Sequence, residues 1–356
     1  ESDKKISSNE RLEKLKNISY LKGLGTIYEK VQRIEHISEN IFHRLQDNHL
    51  ELAIVLQAAK YCKHDLCSEI VNEFPELQGL MGGKYLYYEG FREEVSLSVS
   101  EHYLPTSYKD DIPNTKYGAI TSVSDKLETL LSIFIIGIRP TGSSDPYALR
   151  RTLNAIILIS WNFEFNLDFK DLYLDLLGFW KNSIPEIHFD IKVTFNDLIE
   201  LTKQRIISHL DEISTQKDVI KSICLSENFS NDKMLDLLDL KHRVEAIQYL
   251  KLSPNYKDLR NVVLRVCKLS GSSDLATNVY SHNNLIDKNL FEKKSEMNIL
   301  EFIEDLEKFI KENSNKYKLL IDKFENNIQI LSDLFDDNKG VLIMSDNQKV
   351  RDNRLN

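Results

Sequence analysis

Apolar residues at helical spacing, with few helix-breaking residues between them, most restrict how this chain can fold. Leu127, Leu130, Leu131, Phe134 and Ile138 recur at intervals of three and four residues, and similar intervals appear along most of the chain. Only 12 Gly and 7 Pro occur in 356 residues. Sandwiches and barrels need many turns, so this composition argues against them and predicts an all-α fold.

The charge balance limits the classes of partner. Hydrophobic residues make up 42% and charged residues 28% of a chain whose net charge is −9. This excludes a uniformly basic nucleic-acid binder but allows a local basic face. The longest apolar stretch, 127–138, is shorter than the roughly 20 residues that cross a bilayer, so we expect no membrane partner. The four Cys residues are scattered, which is typical of reduced thiols and predicts a cytoplasmic location.

Local signals predict how the first half of the chain is divided. After the turn-rich segment 139–145, Asp145 can cap a helix and Pro146 suits its first position. The helical pattern weakens over about 166–191, which predicts a domain boundary there.

In the second half, we predict helices over 240–252 and 256–269 and a polar loop over 270–289. The predicted domains are 1–165, 166–235 and 236–356.

The adjacent pair His64-Asp65 resembles the metal ligands of HD-type phosphohydrolases. Imidazole and carboxylate groups suit a divalent ion that activates water. His36 or His43, His102 and Asp125 are further candidate ligands. The same side chains also suit ordinary places on helix faces or in a core, so both interpretations stay open here. A metal-dependent phosphohydrolase is therefore the alternative function.

Glycines follow this pair, but they fit no phosphate-binding motif. We interpret Gly82-Gly83 as the end of a helix. No catalytic nucleophile motif occurs in the chain, so we assign no catalytic residue.

Two groups of basic residues are candidate anion sites. Arg139, Arg150 and Arg151 flank the start of a predicted helix, where backbone N–H groups and arginines together suit phosphate. The alternative is that these arginines pair with acids such as Glu101 or Asp125.

The second group lies in a stretch, 241–268, that carries seven Lys and Arg residues against two acids. On the predicted helix 256–269, one face is basic and the opposite face is apolar, including Val263 and Val266. A solvated face would mix both signs of charge, so this pattern favours an anionic partner, and RNA is the natural candidate. The four cations of that face are Lys257, Arg260, Arg265 and Lys268.

Several ordered strings resemble one family over nearly the whole chain. They are EFPELQGLMG (73–82), EHYLP (101–105), SDKLETL (124–130) and GIRPTGSSDPYALRR (137–151), followed by LFDD (334–337), VLIM (341–344) and RDNRL (351–355). Together these strings resemble the β subunit of the bacterial heterotetrameric glycyl-tRNA synthetase. Family members usually carry Lys-Ala-Asp where this chain has Lys63-His64-Asp65, so His64 is a departure.

The resemblance implies an HD-like helical domain, a helical connector and an anticodon-binding domain similar to that of arginyl-tRNA synthetase. It also implies that a longer protein extends before residue 1. In this family the α subunit holds the aminoacylation site, where glycine and ATP meet with Mg²⁺, and the β subunit captures tRNA in an α2β2 heterotetramer. We therefore expect no cofactor and no metal in this part of the protein.

The resemblance also suggests which residues meet tRNA. The glycine anticodon ends in two cytosines, whose amino groups suit carboxylate or carbonyl acceptors, while Lys and Arg suit phosphates. The expected tRNA-binding residues are Lys257, Arg260, Arg265, Lys268, Arg351, Arg354 and, near the acceptor arm, Arg139, Arg150 and Arg151.

Overall fold

The computed structural model describes residues 2–107, 110–142, 144–213, 215–224, 235–270, 286–313, 315–336 and 338–355. Within these ranges the chain forms helices and no β-strand, which confirms the all-α prediction. The α-helices are α1 (Ser8–Lys14), α2 (Ile27–Leu45), α3 (Leu52–Tyr61), α4 (Glu69–Glu73), α5 (Leu80–Tyr88), α6 (Glu93–Glu101), α7 (Lys116–Ile135), α8 (Leu149–Asn162), α9 (Phe169–Ser183), α10 (Ile191–Glu212), α11 (Lys217–Cys224), α12 (Leu237–Leu252), α13 (Tyr256–Ser270), α14 (Lys294–Glu312), α15 (Tyr317–Asn326), α16 (Ile328–Asp333) and α17 (Gln348–Leu355). In these same ranges, no helix is long and apolar enough to cross a membrane.

The chain divides into two compact units, Glu1–Lys241 and His242–Asn356. In the first unit, α7 is buried along nearly its whole length and packs against α2, α3, α6 and α8. Such a helix must satisfy its polar residues internally, because they cannot reach water. In the second unit, α14 and α13 pack on α16, and Leu259, Val262, Phe302 and Leu331 form the core.

The start of α8 differs from the prediction. Asp145 accepts hydrogen bonds from the backbone N–H groups of Leu149 and Arg150, at 2.8 and 3.0 Å, so it does serve the helix start. However, the helix begins at Leu149, three residues after Pro146, because Ala148 adopts a left-handed conformation with φ of 53°. The prediction that Asp145 caps this helix is therefore confirmed, and the prediction that Pro146 is its first residue was wrong.

The interpretation of 166–191 as a segment with only a weak helical pattern was also wrong. Most of that segment is α9, which buries Phe169, Leu172, Tyr173, Leu176, Leu177 and Trp180. These residues recur at intervals of three and four, so the helical signal is present in the sequence.

Gly82 and Gly83 lie inside α5 and do not end a helix. A Cβ atom on Gly83 would approach the Ser96 carbonyl oxygen on α6 to 2.3 Å, and one on Gly82 would approach Asp65 Cγ to 3.1 Å. Gly83 is therefore required by the close approach of the α6 backbone, and Gly82 faces closely packed side chains, which local helix signals do not reveal.

The two helices predicted over 240–252 and 256–269 are confirmed as α12 and α13. Most of the polar loop predicted over 270–289 lies outside the described residues. The division into domains at 165/166 and 235/236 stays a prediction.

Candidate functional site: a buried charge cluster and two basic surfaces

The first unit contains a buried cluster of charged side chains, which we call the α7 charge cluster. Its members are Lys30 and Arg33 on α2, Lys63, and Asp125 and Glu128 on α7. The Lys30 ammonium lies 2.5 Å from a Glu128 oxygen and 3.3 Å from an Asp125 oxygen. Arg33 donates to the other Glu128 oxygen at 2.9 Å, and Lys63 donates to Asp125 at 2.7 Å. Each carboxylate is therefore paired with two cations inside the core, and the three cations exceed the two carboxylates by one charge.

The cluster fixes the protonation state of its neighbours. Burial alone would raise the pKa of Asp125, but Lys63 and Lys30 outweigh burial and hold that pKa far below its ordinary value. Burial, together with the Lys63 charge, holds the pKa of His102 well below its ordinary value. His102 is therefore neutral: its Nδ1–H donates to the Val99 carbonyl at 2.6 Å and its Nε2 accepts from Lys63 at 2.9 Å.

His64 and Asp65 hold the start of α5. One Asp65 oxygen accepts the backbone N–H groups of Gly79 and Gly82, at 2.6 and 2.9 Å. His64 Nε2 donates to the Gly82 carbonyl at 3.2 Å. Both side chains are fully buried, and Asp65 caps α5 from outside that helix.

Three of the other candidate metal ligands, His36, His102 and Asp125, are engaged elsewhere. The His36 ring stacks on Phe179 at a centroid distance of 3.7 Å. Asp125 and His102 both bind the Lys63 ammonium, which is a cation supplied by the chain itself. No group of three or more His, Cys, Asp or Glu side chains within the described ranges could hold a metal ion. The structure therefore does not assemble the ligand set that the phosphohydrolase alternative needs.

The predicted basic stripe lies on the surface of the second unit. Lys257, Arg260, Arg265 and Lys268 are all exposed on α13. None of the four forms an ion pair with another residue that the structure describes, whereas all three basic residues of the α7 charge cluster do. The Arg265 guanidinium lies 5.8 Å from the centroid of the Phe335 ring. We call these four cations the α13 stripe.

The opposite face of α13 is only partly buried. Leu259 and Val262 belong to the core of the second unit. Val263 and Val266, on the same apolar face, are each 48% exposed. The core of the second unit packs on the side of α13 that carries Leu259 and Val262.

A cavity of about 640 Å³ lies beside the α13 stripe. Arg265 and Lys268 line it from α13, Lys293 precedes α14, and Phe335 and Met344 complete the wall. Sequence reasoning missed Lys293, Phe335 and Met344 as site residues. Phe335 lies in the LFDD string, which was the available signal.

Arg354 and Arg351 occupy different environments at the end of the chain. The Arg354 side chain is only 4% exposed and binds Glu292 and Glu296, at 2.6 and 2.7 Å. It also donates to the Leu342 carbonyl at 3.0 Å. Arg351 is half-buried and donates to Gln348. The donors of Arg354 are therefore used inside the second unit.

The three arginines predicted as an anion site in the first unit differ in their partners. Arg139 donates to Asp197 at 2.8 Å and to the Ile138 carbonyl at 3.0 Å. The acid that pairs with Arg139 is thus neither Glu101 nor Asp125. Arg150 and Arg151 form no ion pair with a described residue, and they line a second cavity of about 470 Å³.

Comparison with known proteins shows the family. A family model described as "Glycyl-tRNA synthetase beta subunit" matches residues 1–225. The chain belongs to this family. The glycine–tRNA ligase beta subunit of Gloeothece citriformis is 33% identical over 97% of this chain. Those of Acaryochloris marina and Limosilactobacillus reuteri are 31% and 28% identical over its whole length.

The chain spans about half the length of these curated relatives, between 48% and 50%. The family model covers Arg139, Arg150 and Arg151 but ends before the α13 stripe. The alignments to glycine–tRNA ligase beta subunits continue through the stripe, because they cover nearly the whole chain. The resemblance stated from the sequence strings is therefore confirmed.

Proposed function

We propose that this chain is the tRNA-recognition part of a glycyl-tRNA synthetase β subunit, which binds glycine tRNA so that the α subunit can attach glycine. The proposed assembly is an α2β2 heterotetramer in the cytoplasm. ATP and Mg²⁺ belong to the α subunit in this proposal. The proposal rests on the family membership of the chain. It agrees with the finding that the sequence contains no nucleophile motif.

We further propose that the helical domains have distinct roles. Residues 1–165 are an HD-like domain that has kept a structural role, 166–235 are a connector, and 236–356 are an anticodon-binding domain similar to that of arginyl-tRNA synthetase. The use of Asp65 as a helix cap and of Lys63 as the partner of Asp125 supports the structural role. The bundle of α13, α14 and α16 supports a helical anticodon-binding domain.

The observation that carries the proposal is the α13 stripe. Its four cations are exposed and lack described acidic partners, in a chain whose net charge is −9. Local positive charge on an acidic protein attracts a polyanion to that one face and disfavours binding elsewhere. We propose that Lys257 and Arg260 meet phosphates, with Arg265 and Lys268 at the mouth of the adjacent cavity.

The adjacent cavity suits a base that is splayed from its stack. Phe335 supplies a ring and Arg265 a guanidinium plane, and unpaired bases stack on both kinds of surface. Backbone N–H groups of Lys339 and Asn338 lower the pKa of Asp336, so its carboxylate is charged at neutral pH. Because Asp336 lines the cavity, we propose that it accepts from the amino group of a cytosine.

The testing experiment titrates the full-length protein, in complex with the α subunit, with glycine tRNA at one stated salt concentration. A second tRNA carries replacements of both anticodon cytosines. Arg260→Glu with Lys268→Glu reverses two of the four charges of the stripe, and Lys308→Glu with Lys311→Glu, on exposed positions of α14, is the matched control.

We expect the stripe variant to lose at least tenfold in affinity, the control to match the parent, and the altered tRNA to bind more weakly. Unchanged affinity of the stripe variant would remove α13 from the proposal. Equal affinity for both tRNAs would show that the stripe holds only the backbone.

A further inference from the structure

The cavity of about 470 Å³ in the first unit is not part of the tRNA surface proposed on the second unit. It lies between α8, which supplies Arg150, Arg151 and Asn154, and α10, which supplies His209 and Glu212. Pro105 and Ser107 form a third side. The volume is within the range of pockets that hold small ligands.

Positive charge at this cavity is not balanced by the acids nearby. Arg150 is half-buried and Arg151 is exposed, and neither pairs with an acid that the structure describes. Glu212 is engaged by Arg205, whose Nη2 lies 3.6 Å from its carboxylate, and by the Ser208 hydroxyl at 3.2 Å. The two free guanidinium groups therefore suit a phosphate.

One further acid, Asp145, lies near Arg205. Its carboxylate is engaged, because it accepts the backbone N–H groups of Leu149 and Arg150. The acids around the cavity thus bind described partners, and the guanidinium groups of Arg150 and Arg151 form no ion pair with a described acid.

Two polar groups at the cavity have unused hydrogen-bonding capacity. His209 is only 2% exposed, and its Nδ1 is buried without a partner among the described residues. Burial lowers the pKa of His209, so the ring is neutral and has one donor and one acceptor nitrogen. Asn154 accepts from Arg205 at 2.9 Å, while its amide NH2 donates to no described residue. A buried polar atom without a partner is costly, which favours a ligand that supplies one.

We infer that this cavity binds one phosphorylated nucleoside, with its phosphate on Arg150 and Arg151 and the edge of its base at His209 and Asn154. Apolar contact with the base would come from Ala155 and Leu158, which also line the cavity. The ligand is either an unpaired nucleotide of bound RNA or a free nucleotide, since both present the same chemistry. The inference goes beyond the proposed function, because it concerns the first unit and does not depend on the α13 stripe.

Trp161 provides a direct optical readout. Its ring lies edge-on to His209 at a centroid distance of 5.1 Å, and Trp180 is the other tryptophan in the chain. In a Trp180→Phe background, we would titrate the full chain with adenosine 5′-monophosphate, cytidine 5′-monophosphate and a single-stranded RNA tetranucleotide. Inorganic phosphate serves as the comparison ligand.

We expect saturable changes in Trp161 emission with a nucleotide or with the tetranucleotide.

The double variant Arg150→Glu with Arg151→Glu should weaken this binding at least tenfold. If circular dichroism shows that this double variant does not fold, Arg150→Gln with Arg151→Gln is used in its place. Lys192→Glu, an exposed position on α10, is the matched control and should bind like the parent. The signal comes from Trp161, which contacts His209, so a result for this cavity is obtained independently of any result for the α13 stripe.

Tighter binding of the tetranucleotide would identify RNA as the source of the ligand, and tighter binding of a monophosphate would identify a free nucleotide. The inference would be overturned by the absence of saturable binding, by equal affinity for phosphate and nucleotide, or by unchanged affinity in the arginine variants.

Discussion

The two units use the same charged residue types in opposite ways. In the α7 charge cluster of the first unit, ammonium, guanidinium and carboxylate groups are buried and bind one another. In the α13 stripe of the second unit, the cations are exposed and have no described acidic partner. A Lys or Arg residue therefore indicates an anionic ligand only if it has no acidic partner within the protein, because a paired charge is already neutralised.

Removal of one charge from the α7 charge cluster should have the largest effect. Glu128→Gln keeps the shape of the side chain but leaves Lys30 and Arg33 without their main counter-charge in the core. Breaking a buried pair typically costs about 3–5 kcal/mol. We expect a loss of that size in the free energy of unfolding, measured by urea denaturation.

The matched surface change is Glu301→Gln at an exposed position of α14, which should alter stability by less than about 0.5 kcal/mol. A loss below about 1 kcal/mol in Glu128→Gln would contradict the view that the cluster is held by mutual neutralisation.

The next largest effect concerns pH. Burial lowers the pKa of His64 to about 4, against about 6.5 in an unfolded chain. Between these values the unfolded state binds a proton that the folded state does not, so stability falls as pH falls from about 6.5 to 4. At about 1.4 kcal/mol per pH unit, the share of His64 approaches about 3 kcal/mol.

His64→Gln keeps a donor for the Gly82 carbonyl and removes the titrating ring. We expect its unfolding free energy to change less between pH 7 and 5 than that of the parent, by urea denaturation at each pH. His188→Gln, at an exposed position, should keep the parental slope. Parallel slopes for His64→Gln and the parent would count against a neutral, buried His64.

The smallest effect on stability is expected at the α13 stripe. Arg260→Gln with Lys268→Gln should change the unfolding free energy by less than about 0.5 kcal/mol, because both side chains are exposed. In filter binding at several salt concentrations, the slope of log affinity for tRNA against log salt should decrease by about one to two.

Arg354→Gln is the opposite control, because it removes a buried partner of Glu292 and Glu296. We expect it to destabilise the protein by about 1–3 kcal/mol. If the stripe variant were the less stable of the two, the proposed distinction between paired and free cations would be wrong.

The sequence predicted features that depend on local pattern. Periodicity identified α12 and α13, and the same pattern placed the basic stripe on one exposed face. The helix α9 was also predictable from its spacing of buried residues, and the error lay in the interpretation of that segment.

Features that depend on distant contacts were not predictable from one sequence. The partner of Asp125 is 62 residues earlier, and the partners of Arg354 are 58 and 62 residues earlier. No local signal indicates which acid a basic residue meets across such distances. The glycines inside α5 are required by α6, so their meaning also depends on tertiary packing.

The α7 charge cluster has a consequence for how substitutions in the core combine. Lys30 bridges Asp125 and Glu128, and each carboxylate also binds a second cation. Removal of either carboxylate leaves cations in the core without their counter-charge, whereas joint replacement by apolar residues of similar volume removes the buried charges altogether. The five positions are therefore energetically coupled, so the effect of a second replacement depends on which residue was replaced first.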